Sequence, residues 1–99
     1  MKKLLLISLL AFNVNAEFTK EESGLCDKIE EMARVIMKSR QAGTSMRDMI
    51  NRADGNTVIV ATIEGAFKEP RWSSSERIER AIDDFANEYY KICYNKFKD

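Results

Sequence analysis

Cys26 and Cys93 are the two cysteines of a 99-residue chain, and each lies in a long segment whose apolar residues recur at spacings of three and four. A covalent link between them would force those two segments side by side. Whether they pair depends on the compartment, because disulfides persist in oxidising surroundings and are rare in the reducing cytosol. The start of the chain bears on this. Lys2 and Lys3 precede an apolar run from Leu4 to Phe12, and Asn13, Val14, Asn15 and Ala16 follow. A basic start, a short apolar stretch and small residues before a cut form the pattern of a secretory signal peptide. Val14 and Ala16 suit the positions three before and just before such a cut, so residues 1–16 are predicted as a leader and residues 17–99 as a periplasmic domain.

The apolar run is shorter than the roughly 20 residues that a membrane-spanning helix needs, and no cysteine follows it directly to be acylated. No integral membrane span is therefore expected after cleavage; the alternative is a leader kept for a time as a weak anchor. Two cysteines in a short exported chain are read first as a disulfide. A redox-active thiol or a metal-ligand pair fits less well, because the chain has no CxxC spacing and no further ligands beside the cysteines. In the chain-entropy treatment, closing so long a loop destabilises the unfolded state by roughly 4 kcal/mol. For so small a domain that is a large contribution.

Charge and composition exclude several classes of function. Sixteen Lys plus Arg balance sixteen Asp plus Glu, and loss of Lys2 and Lys3 with the leader leaves 14 against 16, a formal charge of −2. This is not the concentrated positive footprint of a nucleic-acid binder. The chain contains no histidine, which removes Ser-His and Cys-His catalytic pairs and histidine-ligated metals. The acid pairs Glu30–Glu31 and Asp83–Asp84 are adjacent in sequence, so on a helix they point to different faces rather than flanking a glycosidic bond. Met32, Met37, Met46 and Met49 are possible soft-metal ligands, but three of the four fall on core helical positions. The expectation is a chain without catalytic residues, metal or cofactor.

Four helices are predicted. From Glu21 to Ala42 the stripe is Leu25, Ile29, Met32, Ala33, Ile36 and Met37, with Cys26 at its edge, Thr19 or Ser23 as cap, and Glu30 spaced to pair with Arg34. Gly43 suits the left-handed position that ends a helix. Ser45 and Asp48 are spaced as a capping box for a short helix from Met46 to about Ala53, whose apolar face is Met46, Met49, Ile50 and Ala53. After the turn Asp54-Gly55-Asn56 comes the β-branched stretch from Thr57 to Ile63. Its propensity favours a strand. A lone strand would leave its backbone unpaired, whereas Ile59, Ile63, Ala66 and Phe67 form a helical stripe, so a helix ending before Pro70 is expected. Ser73 and Glu76 are spaced to cap the last helix, Glu76 can pair with Arg80, and the stripe is Ile78, Ile82, Phe85, Tyr89 and Ile92, broadened by Ala81, Ala86 and Cys93. The fold class is thus all-α, a small bundle of about four helices whose long first and last members run antiparallel and are joined by a disulfide.

Candidate partner-contact residues fall in three places: Arg40 and Gln41 at the first helix end, Arg71 and Trp72 after Pro70, and Tyr90 and Tyr94 near the C-terminus. Loops on a rigid scaffold often carry binding, and Trp, Tyr and Arg dominate interface energetics. The structural alternative has Arg40 capping the carbonyls of its own helix end and Arg71 stacked on Trp72. Tyr90, Tyr94 and Phe97 lie partly off the core stripe, so they either cover helix edges or form an exposed aromatic strip.

Cys26, Ala33, Ile36, Met37, Arg40, Gln41 and Gly43, then Ala66, Phe67, Pro70, Arg71 and Trp72, then Ile82, Phe85, Asn87, Tyr89 and Cys93 resemble a family of small exported proteins encoded by phages and prophages of Gram-negative bacteria. The resemblance runs from about residue 25 to 94; that family often has tyrosine where this chain has Phe67 and Trp72. It implies a helical, disulfide-bearing envelope protein of phage origin and supplies no catalytic or binding residues. Two functions are expected from it and the composition together. One is a periplasmic binding protein that occludes an envelope or lysis protein of host or phage, serving superinfection exclusion or lysis timing. The other is an inhibitor or immunity protein that inserts a loop into a peptidoglycan hydrolase.

Overall fold

The computed structural model describes residues 18–98, so the leader predicted over residues 1–16 lies outside the described residues. Four helices follow one another: α1 (Lys20–Gln41), α2 (Met46–Ala53), α3 (Thr57–Ala66) and α4 (Ser75–Lys98). No strand occurs among the described residues. Three links fix α1 antiparallel to α4. Cys26 and Cys93 form a disulfide with a Cα–Cα distance of 5.6 Å, Arg34 Nη1 donates to Asp83 Oδ1 at 2.6 Å, and Gln41 bonds the backbone around Trp72. Each step toward the end of α1 is thus met by a step back along α4. This pairing is the largest contact in the molecule.

Local chemistry sets the helix boundaries. Thr19 opens α1 through a complete capping box: its Oγ1 accepts from Glu22 N at 3.1 Å, and its own N–H donates to Glu22 Oε1 at 3.0 Å. Ser45 Oγ accepts from Asp48 N at 3.1 Å to open α2. α2 closes on Asp54 in the left-handed region, φ 51°, followed by Gly55 at φ 80°. The β-branched segment is helical. Asn56 caps it by accepting from Ile59 N at 3.0 Å, and the hydroxyl of buried Thr62 donates back to Val58 O at 2.8 Å. That internal bond satisfies a polar group that would otherwise be costly to bury.

The cap of α4 differs from the sequence expectation. Ser74, not Ser73, accepts from the N–H three residues on, Arg77 N at 3.2 Å. The Trp72 N–H is already bound to Gln41, so the chain turns into the helix one residue later, and this places Arg77 over the Trp72 ring at 4.9 Å. The predicted Glu76–Arg80 pair forms at 3.6 Å between two exposed side chains, where such pairs contribute little. Arg34 joins Glu30 as predicted, at 3.4 Å, and also reaches across to Asp83. The Asp83 hydrogen bond is the main reason the Arg34 pKa is raised.

The core comprises Ala33, Ile36, Met37, Met49, Ala53, Ile63, Ala66, Ile82 and Phe85. Three residues assigned to buried stripes are exposed instead: Met46 by 40%, Leu25 by 48% and Ile92 by 44%. Met46 is the first residue of α2; for Leu25 and Ile92 the reason is a mismatch of lengths. α1 and α4 have 22 and 24 residues and α3 only 10, about 33, 36 and 15 Å at 1.5 Å per residue. The long pair therefore outruns its cover. The Tyr89 side chain of α4 reaches α3 at Gly65, where a Cβ would collide with its hydroxyl, while Phe85 Cε1 and Tyr89 Cζ would sit at an ordinary 3.6 Å. Burial, with a smaller contribution from Glu88, raises the Tyr89 pKa.

Reducing Cys26–Cys93 should lower unfolding stability by about 4 kcal/mol, measurable as a shift of the urea midpoint on adding dithiothreitol; an unchanged midpoint would show that packing alone holds α1 to α4. Gly65→Ala should be unfavourable in the native chain, yet stabilise a Tyr89→Phe chain by up to about 1 kcal/mol, the helix-propensity difference between the two residues. Tyr89→Phe should also flatten the alkaline limb of stability. With its pKa raised in the folded state, neutral Tyr89 favours the fold below about pH 10, and that contribution is lost as pH rises through the folded value.

Candidate functional site

Arg40, Gln41, Arg71 and Trp72 are brought together at the end of the bundle remote from the disulfide. The 67–74 connector carries backbone carbonyls that no helix satisfies, and the end of α1 supplies the donors. Arg40 Nε and Nη2 donate to Glu69 O at 3.2 and 2.9 Å, with the guanidinium over the Phe67 ring at 4.5 Å. Gln41, 4% exposed, donates from Nε2 to Pro70 O at 2.9 Å and accepts at Oε1 from Trp72 N at 2.9 Å. Arg71 Nε donates to Gln41 O at 3.3 Å. Its guanidinium lies against Gly43, whose φ of 99° and lack of a Cβ make room for it. The result is a clasp that fastens the connector to α1.

Two particulars differ from the structural alternative. Arg40 caps the carbonyl of Glu69 in the connector rather than those of its own helix. The cation over Trp72 is Arg77, one turn into α4, and Arg71 points back to Gln41 instead. Gly43 takes the left-handed backbone expected of it. Of the four contact candidates, Arg71 is exposed, Arg40 and Trp72 are half-buried, and Gln41 is enclosed. Beside the clasp opens a recess of about 530 Å³ lined by Trp72 and by the charged residues Glu69, Arg77, Arg80, Asp84 and Glu88.

Tyr90 and Tyr94 lie at the opposite end. Phe18 packs edge-on against both, with ring centroids 4.9 Å from Tyr94 and 6.5 Å from Tyr90. Edge-to-face geometry suits the ring quadrupoles. Tyr90 is half-buried and Tyr94 stays exposed, so the aromatic edge is partly covered and partly open.

On another face of that end lies a feature that sequence reasoning missed. Beyond the N-terminus of α3 the apolar stripes of α1 and α4 run on without cover, leaving a groove of about 520 Å³ between Leu25, Ile29, Val58, Ile92 and Phe97. Among the described residues Lys96 is its one charged lining residue. The signal was present in the helix lengths, since a ten-residue helix cannot span stripes twice as long.

Among the described residues no group of three or more His, Cys, Asp or Glu is placed to hold a metal ion, and no helix is long and apolar enough to cross a membrane. The disulfide fits a non-reducing compartment. No protein family, curated protein or solved structure matches the chain, so function is argued from its own residues.

The clasp yields a direct prediction. Gln41→Leu keeps the apolar bulk but leaves Pro70 O and Trp72 N unpartnered, and should cost about 2 to 4 kcal/mol. The Trp72 emission maximum and the urea midpoint report it; a variant as stable as the parent, with unshifted emission, would mean water replaces the amide at no cost.

Proposed function

We propose that the protein is a phage- or prophage-encoded binding protein, exported to the periplasm, that occludes an envelope or lysis protein and so excludes a second phage or times lysis. The observation that carries this reading is the rigid presentation of Arg71 and Trp72. Their backbone is fastened by Gln41, the Trp72 ring is steadied by Arg77, and the helices beneath are cross-linked at the far end. A surface ordered in advance loses little conformational freedom on binding. Arginine and tryptophan beside a recess of mixed charge also match the composition of interface hot spots. Support for the compartment comes from the disulfide and from the leader pattern of residues 1–16. The phage origin rests on the family resemblance. No catalytic role enters: the chain has no histidine, and Asp83 is engaged by Arg34.

The second reading, an inhibitor or immunity protein against a peptidoglycan hydrolase, requires a loop that projects into an active-site groove. The connector bearing Trp72 is tied down along α1 instead, which favours flat occlusion over insertion. The test is recovery of partners from detergent-solubilised host envelope on the immobilised, oxidised protein, alongside plaque counts on cells expressing it. The expected result is one membrane or lysis protein, with binding weakened roughly tenfold or more by Arg71→Ala with Trp72→Ala in a variant whose melting curve shows it folded. Recovery of a soluble wall hydrolase would move the assignment to the inhibitor reading. Binding that ignores the double substitution would place the contact surface elsewhere.

A further inference from the structure

The groove at the disulfide end has a composition unlike the rest of the surface. Three of the exposed large apolar residues, Leu25, Val58 and Ile92, border it, with Val58 54% exposed. Ile29 and Phe97 continue the apolar walls. The volume of about 520 Å³ falls within the roughly 300–1,000 Å³ of small-molecule sites, which are mostly apolar with a few placed polar groups. The placed charge here is Lys96, and among the described residues no acidic side chain lines the groove. The N-terminus of α3 opens onto the same space through Thr57 and Val58, and its first turn carries no acidic residue, so its positive end adds to the lysine rather than opposing it.

These features select among occupants. A second copy docked by two-fold symmetry would bring two Lys96 ammonium groups to one apolar interface with no acid among the described lining residues to meet them. An occupant that supplies its own negative charge removes that conflict. We propose that the groove binds a free single-chain anionic amphiphile, a medium-chain fatty acid, with its hydrocarbon tail between Leu25, Val58 and Ile92 and its carboxylate at Lys96. This site is separate from the Arg71–Trp72 surface and does not rest on the partner proposed for that surface.

The test is titration of the oxidised protein, expressed with its own leader and purified, with laurate, decanoate and dodecanol, read by calorimetry. Laurate should bind saturably and one to one, and decanoate, two methylenes shorter, roughly four- to fifteenfold more weakly. Lys96→Glu should weaken laurate about tenfold while leaving dodecanol within about twofold, which separates recognition of the carboxylate from burial of the tail. Val58→Glu, at an exposed position where the fold tolerates it, should weaken both ligands; a melting curve checks that each variant is folded. Four outcomes would overturn the proposal: no saturable binding; laurate binding indifferent to Val58→Glu and Lys96→Glu; laurate excluded by a dimer seen in sedimentation, which would assign the groove to a second copy; and flotation with anionic vesicles without binding of free laurate, which would make it a membrane contact.

Discussion

The antiparallel pairing of α1 with α4 is the constraint on which the remaining structure depends, and it is fastened by different chemistry at its two ends. At one end a covalent bond joins Cys26 to Cys93. At the other a single buried carboxamide, Gln41, joins the end of α1 to the connector that leads into α4. The disulfide acts chiefly by restricting the unfolded chain. The amide acts in the folded state, by satisfying a carbonyl and an N–H that a proline-containing connector cannot pair within itself. Between them, Ala33, Ile36, Met37, Ile82, Phe85 and Ala86 bury a narrow seam, and small residues such as Ala33 and Ala86 let the two helix backbones approach.

The short helices are subordinate to that pair and cover only part of it. α2 and α3 carry the chain back across the long pair and bury Met49, Ala53, Ile63 and Ala66. Since α3 is less than half as long as either long helix, the third layer stops midway along the seam. The clasp end is thereby closed and polar, with its loop groups satisfied, and the disulfide end is left open and apolar. A bundle of this size would lose stability from such an uncovered seam if packing alone held the ends together. Placing the cross-link there resolves the problem, because the disulfide holds the two helices where burial is least.

Much of the fold was legible in local patterns. The caps at Thr19 and Ser45, the left-handed Gly43, the stripes of α1 and α4 and the pairing of Cys26 with Cys93 all follow from spacings within a few residues or from the redox logic expected of a chain with a leader pattern. The β-branched segment was decided by elimination, since no second strand existed to pair with it. The candidate site was legible only in part. Arg40 and Gln41 were marked in one place and Arg71 and Trp72 in another, and the structure brings the two together because both lie at the same end of the antiparallel pair. Which cation stacks on Trp72 and which carbonyl Arg40 caps depend on the pitch of the chain between Pro70 and Ser75, which no short-range rule sets.

The sequence by itself determined the helical class, the order and approximate lengths of the four helices, and the antiparallel sense of the outer pair. These are consequences of periodicity, capping and one cross-link, each local or covalent. The tertiary structure alone decided which apolar residues are covered. Leu25, Met37, Ile82 and Ile92 all belong to helical stripes, yet Met37 is enclosed and Leu25 and Ile92 stand open. A stripe states only that a face is available for burial. Whether something lies on it depends on where the neighbouring helix ends, and α3 ends short of the disulfide because the turn at Asp54 to Asn56 starts it there. The groove, the clasp and the half-burial of Trp72 all result from that three-dimensional register.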